Sequence, residues 1–319
     1  MFTRQYNFFM KFLFGPVPSR RFGRSLGLDV IPAKTCSYDC IYCESGPTTS
    51  LSIERQNFVD CSQVLEELGS FMRDSPQGAD VFTFSSAGEP TLYEPMGELS
   101  AAIKRQYPKI PLIVLTNGSF LWKPEVRRGL LQADRVVPSL DAVTAKCFRK
   151  INRPHPSLHP EQIIEGLRAF RKEYKGQLHI EVLLALGVND SREELCAIAK
   201  AIESIKPDKV ELNTVVRPPA HAGAKGLNGE NMARAAKFFS SFNVEIVGSF
   251  HTAAQKSSEE NIDQKILETV KRRPCTAEEL AASLGVSQER MQIEADKLLG
   301  EGRLIRLCFD QKEFLGPAG

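Results

Sequence analysis

The chain has 319 residues, 42% hydrophobic and 25% charged, and 41 Lys and Arg barely outnumber 39 Asp and Glu for a formal net charge of +2. These fractions exclude disordered and collagen-like architectures, and near-neutrality removes any whole-chain electrostatic case for nucleic acid or an anionic membrane. No apolar run approaches the ~18 residues of a membrane span. The apolar N-terminal stretch from Phe8 to Phe14 is broken by Lys11 and lacks a small-residue cleavage site, so the expectation is a cytoplasmic protein.

Short apolar runs predict strands at Leu26–Ile31, Asp80–Ser85, Pro111–Thr116, Arg135–Leu140, His179–Leu186 and Lys209–Val216, with a further one at Val244–Val247. Helical patterns lie between them, at Ser62–Met72, Glu98–Gln106, Glu161–Glu173, Arg192–Ile205 and Glu230–Phe242. In the fourth of these, Leu195, Ile198, Ala199, Ile202 and Ile205 share one face, a core-facing stripe. Strand–helix units in succession predict a parallel α/β architecture, either a doubly wound sheet or a barrel.

Composition changes after His251. Residues 252–260 are small and polar and read as a linker. Helices are then predicted at Asn261–Arg272, Thr276–Leu284 and Ser287–Leu299, the second opening on a capping-box pair, Thr276 and Glu279. Leu304–Phe309 and Glu313–Leu315 read as a hairpin, so residues 261–319 are expected to form a small C-terminal winged helix-turn-helix domain. Residues 259–319 hold twelve acids against nine bases, and the recognition-helix position carries Glu289, Glu294 and Asp296 against Arg290 and Lys297. A helix that sits against phosphates is expected to be basic, so this composition favours a docking or lid role over DNA binding.

Of 8 cysteines, Cys36, Cys40 and Cys43 crowd into one short segment directly after the first predicted strand. Cys61, Cys147, Cys196, Cys275 and Cys308 are scattered and read as small buried hydrophobes. A loop at the carboxyl end of a strand is where parallel α/β folds place their active sites. Three thiolates at C-x3-C-x2-C spacing suit three irons of a cubane cluster and leave the fourth iron open. A structural zinc site or an electron-transfer ferredoxin calls for a fourth ligand. The histidines show no metal spacing.

That cysteine motif, with Tyr42 before its last member, resembles the signature of the radical S-adenosylmethionine (SAM) superfamily. Ser86-Ala87-Gly88-Glu89-Pro90 is similar to the family's GGEP segment, with Ala87 in place of the first Gly. Thr116-Asn117-Gly118, Ser139-Leu140-Asp141 and Gly187-Val188-Asn189-Asp190 recur at successive strand ends, and the likeness extends over roughly residues 15–250. Phe14-Gly15-Pro16-Val17-Pro18-Ser19-Arg20-Arg21, Ile151-Asn152-Arg153-Pro154, Leu212-Asn213-Thr214 and Arg217-Pro218-Pro219 resemble a group of Fe–S oxidoreductases related to wyosine-tRNA synthetases. Those synthetases carry extra cysteines upstream for a second cluster. No cysteine precedes Cys36 here, which argues against that activity. The resemblance also implies a translation start near Met10 rather than Met1. The expected division is an extension over 1–14, a radical SAM core over 15–251, a linker over 252–260 and the winged-helix-like domain over 261–319.

The resemblance implies a partial (β/α)6 TIM-type barrel with one 4Fe–4S cluster on Cys36, Cys40 and Cys43 and SAM on the open iron. Reductive cleavage of SAM would yield a 5′-deoxyadenosyl radical that takes hydrogen from a substrate, either a tRNA or nucleotide or a small metabolite. Flavodoxin or ferredoxin is the implied reductant. Tyr42 is expected beside the adenine, and Ser86, Ala87, Gly88 and Glu89 around the SAM amino group, Gly88 allowing close backbone approach to the ligand. Asn117, Ser139, Asp141 and Asn189 are expected SAM contacts, with turn and strand-end capping as the alternative for the first three. Arg153, Asn213 and Arg217 are the substrate-facing candidates, and Arg20, Arg21, Arg24 and Lys34 form a basic stretch that either meets an anionic substrate or is simply solvated. The alternative function is a non-catalytic iron–sulfur regulator using its winged-helix domain on DNA or protein, which calls for a basic recognition helix.

Overall fold

The computed structural model describes residues 10–19, 21–76, 78–247 and 262–318. The predicted extension up to residue 9, Arg20, His251 and the 252–260 linker lie outside the described residues. Strands β1 (Leu13–Ser19) and β2 (Gly23–Leu28) form an antiparallel hairpin, and β3 (Thr35–Cys36) pairs separately with β4 (Ser50–Leu51). From β2 the main sheet continues in parallel through β5 (Val81–Phe84), β6 (Leu112–Thr116), β7 (Arg135–Pro138), β8 (Gln177–Leu184), β9 (Lys209–Thr214) and β10 (Val244–Ile246). The intervening helices are α1 (Cys61–Asp74), α2 (Met96–Gln106), α3 (Pro124–Leu130), α4 (Ala145–Ile151), α5 (Pro160–Glu173), α6 (Arg192–Ile205) and α7 (Gly229–Ala236).

Alternate residues of each strand serve two different cores. Phe82, Phe84, Leu112, Val114 and Val136 join the large cluster with the helices, whereas Val81, Ile113 and Val137 form a small cluster on the other face. The sheet has two free edges, β1 and β10. It nevertheless curls, because Arg21 in the β1–β2 turn reaches Glu181 on β8 and, at 2.6 Å, Glu211 on β9. Glu211 also accepts from His179 Nδ1 at 2.6 Å. These contacts join strands far apart in the sheet order, so the strands wrap around a lumen as an open barrel. They also settle part of the basic stretch: Arg21 is paired inside the protein, and Arg24 is paired with Asp80 at 2.7 Å.

After the barrel come α8 (Ile262–Arg272), α9 (Ala277–Leu284) and α10 (Gln288–Gly300), then an antiparallel hairpin of β11 (Leu304–Phe309) and β12 (Lys312–Pro317). The capping box is formed: Thr276 Oγ1 accepts from Glu279 N, and Glu279 Oε2 accepts from Thr276 N. Helices α8 and α9 pack on β1. Arg272 donates to Asp29 at 2.9 Å and lies 4.3 Å from the Phe14 ring centroid, a cation–π contact. No helix among the described residues is long and apolar enough to cross a membrane.

Candidate active site

The cysteine loop begins at the end of β3 and is held from several sides. Lys34 O accepts from Thr49 N and Ser50 N, and Cys36 O from Ser52 N, so the loop closes on its own start. Its outer flank is a strip of backbone from the end of α4. Asp39 N donates to Asn152 O at 3.1 Å, Ile41 N to Ile151 O at 2.9 Å, and His155 N to Ser37 O at 2.8 Å. His221 N adds a bond to Ile41 O at 3.0 Å. Cys36, Cys40 and Cys43 are partly exposed on this framework.

Two carboxamides address the sulphurs. Asn117 Nδ2, at the end of β6, lies 3.6 Å from Cys36 Sγ and 2.8 Å from Ser37 Oγ. Asn152 Nδ2, at the C-cap of α4, lies 3.5 Å from Cys40 Sγ and 2.7 Å from Asp141 Oδ2. Asp141 is the hub of the network. Its Oδ2 also accepts from Tyr42 OH at 2.5 Å, and its Oδ1 from Leu183 N at 2.9 Å. Burial pushes its carboxyl up to about 6, against those hydrogen bonds, which favour the anion. Burial likewise pushes the Cys43 thiol up, while the Ser45 amide and the Lys34 ammonium work the other way. Lys34 is held at φ 63°, the left-handed region that non-glycine residues rarely adopt.

Beside the loop is a cavity of about 340 Å³. Tyr42, Cys43, Ala87 and Asn213 line it on the barrel side, and Lys265, Thr269 and Ser283 line it from α8 and α9. The two sides are joined by Arg217, which is 1% exposed. Its Nη1 meets Glu44, next to Cys43, at 3.1 Å, and its Nη2 meets Glu279 of α9 at 2.8 Å. A guanidinium fork held between two carboxylates is the strong, oriented form of an ion pair.

Several expected site residues sit elsewhere or are already committed. Glu89 is buried with its carboxylate accepting from Thr91 N, Thr91 Oγ1, Thr116 Oγ1 and Asn117 N, so it braces the ends of β5 and β6 rather than offering oxygens to a ligand. Gly88 is required by protein backbone: a Cβ there would stand 2.0 Å from Thr35 O. Ser86 Oγ ties Leu28 O to Val30 N, and Ala87 O accepts from Lys34 N. Asn189 is fully buried and binds Asp141 O, Leu183 O and Ala185 N, which fixes the hub from behind. Ser139 continues β7 toward Glu181 through a bridge and does not line the cavity. Arg153 follows a helix, not a strand, and its exposed side chain pairs with Asp39 at 3.2 Å and His221 at 2.9 Å. Arg217 is likewise spoken for by two carboxylates, as α8 and α9 come to the barrel. Asn152 carries a role that its motif did not announce; its one sequence signal was membership of the Ile151–Pro154 segment.

The donor set fits a polynuclear cluster better than a single ion. Among the described residues no three His, Cys, Asp or Glu side chains converge as the ligands of one metal. Three separate thiols on one loop, each able to serve its own iron, with N–H donors directed at two sulphurs, is the chemistry of an iron–sulphur site.

The model for the Radical SAM superfamily matches residues 30–199. A UPF0026 protein of Methanocaldococcus jannaschii is 34% identical over 96% of this chain and 95% of its own length. A Brachyspira hyodysenteriae protein described as GTPase Obg is 38% identical over 92% of this chain, which spans 43% of that relative's length. No G-x-x-x-x-G-K-[ST] phosphate loop occurs here. The expected likeness to wyosine synthetases appears in the fold: a structure of TYW1 with a lysine–pyruvate adduct bound superposes with TM-score 0.55 at 20% identity, over 69% of this chain and 74% of that one. Proteins of this superfamily bind a 4Fe–4S cluster and SAM.

Proposed function

We propose, from the premise that the chain belongs to the radical SAM superfamily, that it is an enzyme whose Cys36, Cys40 and Cys43 hold a 4Fe–4S cluster beside a SAM site. With both groups bound, reductive cleavage of SAM supplies a 5′-deoxyadenosyl radical for hydrogen abstraction. The observation that carries this reading is the junction of the cysteine loop with the 340 Å³ cavity at Tyr42 and Cys43.

The residues divide the work. Tyr42, tethered through its hydroxyl to Asp141, presents a fixed aromatic ring at the cavity. Ala87 lines the same cavity, as does Asn213 from β9. Helices α8 and α9 cover the cavity and limit the entry of water, which favours a radical reaction over side reactions. We assign the C-terminal part, read as a winged-helix-like domain over 261–319, the role of a lid and substrate wall. Its cations support that choice: Arg290 pairs with Glu294 at 2.6 Å, and Lys297 with Asp263 at 2.6 Å. A small metabolite suits a covered cavity of this size better than a tRNA. A cytoplasmic flavodoxin or ferredoxin is the reductant we assign.

The test is anaerobic reconstitution with iron and sulfide, followed by SAM and dithionite. We expect 5′-deoxyadenosine; its absence from a protein carrying a full cluster overturns the enzyme reading.

A further inference from the structure

Asn117 and Asn152 approach the cysteine loop from opposite sides, one from the end of β6 and one from the end of α4. Each carboxamide nitrogen has two hydrogens, and each divides them between an oxygen and a sulphur. For Asn117 the partners are Ser37 Oγ at 2.8 Å and Cys36 Sγ at 3.6 Å. For Asn152 they are Asp141 Oδ2 at 2.7 Å and Cys40 Sγ at 3.5 Å.

The orientation of both amides is fixed by chemistry. Asn117 Oδ1 accepts from Ser119 N at 2.9 Å, so its nitrogen must face the loop. Asn152 faces a carboxylate oxygen that already takes the Tyr42 hydroxyl, and turning its own oxygen there would set two acceptors against each other. Asn152 is 2% exposed, so water does not compete for its N–H.

We propose that Asn117 and Asn152 are positioning residues that donate N–H to the Cys36 and Cys40 sulphurs and thereby set the reduction potential of the cluster those thiolates hold. The inference rests on the cluster assignment under Proposed function. Reduction adds negative charge that the thiolate sulphurs share, and a donor stabilises the reduced form more than the oxidised one. Both amides therefore raise the potential, easing electron entry. Asp141 and Ser37 act one step further out, by aiming the two nitrogens.

The experiment is a redox titration of the reconstituted holoprotein followed by electron paramagnetic resonance, for wild type, Asn117→Leu and Asn152→Leu. Leucine keeps the branched shape and removes the N–H. At wild-type iron content, each variant is expected to lose about tenfold in reduced-to-oxidised ratio at fixed poise, equivalent to about 59 mV for a one-electron couple. Unchanged potentials in both variants overturn the inference and leave the cluster assignment standing. A wild-type protein that takes up no iron overturns the assignment itself. Where a leucine variant holds no iron, the wild type decides alone. With ¹⁵N confined to asparagine side chains, the reduced cluster is expected to show hyperfine coupling to that label, and its absence overturns the inference.

Discussion

Midway along β8 and β9, Glu181 and Glu211 hold the Arg21 guanidinium, with His179 bonded to Glu211; nearer the C-terminal end of β8, Asp141 shares its oxygens among Tyr42, Asn152 and the Leu183 amide. The first is built on one guanidinium held between two carboxylates inside the barrel. The second is a mostly neutral web whose outer members point at sulphur and cavity. A locked ion cluster suits the closing of a barrel, and here Arg21 and Glu181 also line the cavity that Tyr42 and Cys43 border. A site that must receive an electron and a ligand instead needs donors whose strength is adjustable. The contrast makes the lower end first a matter of stability, though Arg21 and Glu181 share the cavity wall, and the upper end, with its thiols, one of chemistry.

The sharpest way to break this division is to remove one residue from each end. Cys40→Ala is expected to lose essentially all reconstituted iron, while Cys61→Ala, on α1, keeps it. Equal loss by colorimetric iron assay would mean that a fourth cysteine participates. Arg21→Met strands two carboxylates in the barrel and is expected to cost ~3–5 kcal/mol by urea unfolding, with iron content per folded protein unchanged. A loss of iron without a loss of stability would erase the distinction between the ends.

Acid titration sharpens the same point. Burial raises the Glu211 carboxyl, but His179 and Arg21 outweigh it and hold the group down at about 2, against an ordinary 4.5. A depressed carboxylate contributes stability that is complete above its unfolded value. That contribution, on the order of 3 kcal/mol, is lost as pH falls from about 4.5 toward 2. The stability gap between wild type and Glu211→Gln is therefore expected to narrow over that window. A gap that stays constant by denaturant titration would show that Glu211 is not held down.

Two smaller effects belong to the upper end. Gly88→Ala forces a methyl against Thr35 O, and overpacking of this kind costs ~1–3 kcal/mol, with weakened iron retention because Thr35 leads directly into Cys36. Lys34→Gly relieves a left-handed backbone and is expected to raise the unfolding free energy by up to ~1 kcal/mol. A fall in either stability or iron content on that substitution would mean that the ammonium matters more than the strain.

The sequence announced a helix or strand wherever that element explained itself. Helix Arg192–Ile205 has the predicted bounds because Ser191 caps it and its apolar stripe is unbroken. The parallel strands were visible as apolar runs, being covered on both faces. Strand β1 was not, because Leu13–Ser19 is rich in Gly and Pro and becomes a strand only by pairing with β2. Helices α3 and α4 span seven residues each, too few for periodicity to register. The site followed the same rule. The cysteine spacing is local and could be read directly. Asn152 meets Cys40 across 112 residues, and Arg21 meets Glu211 across 190, so only the folded chain brings them together.

The Arg217 fork bears on the order in which the chamber is assembled. Glu44 and Arg217 belong to the barrel, but Glu279 lies C-terminal to all its strands. On a ribosome, every strand and the whole cysteine loop therefore emerge before the wall that will cover them. The nascent barrel has its cavity, with Cys43 on the wall, open on that side, and the chamber becomes complete only when α9 supplies the second carboxylate.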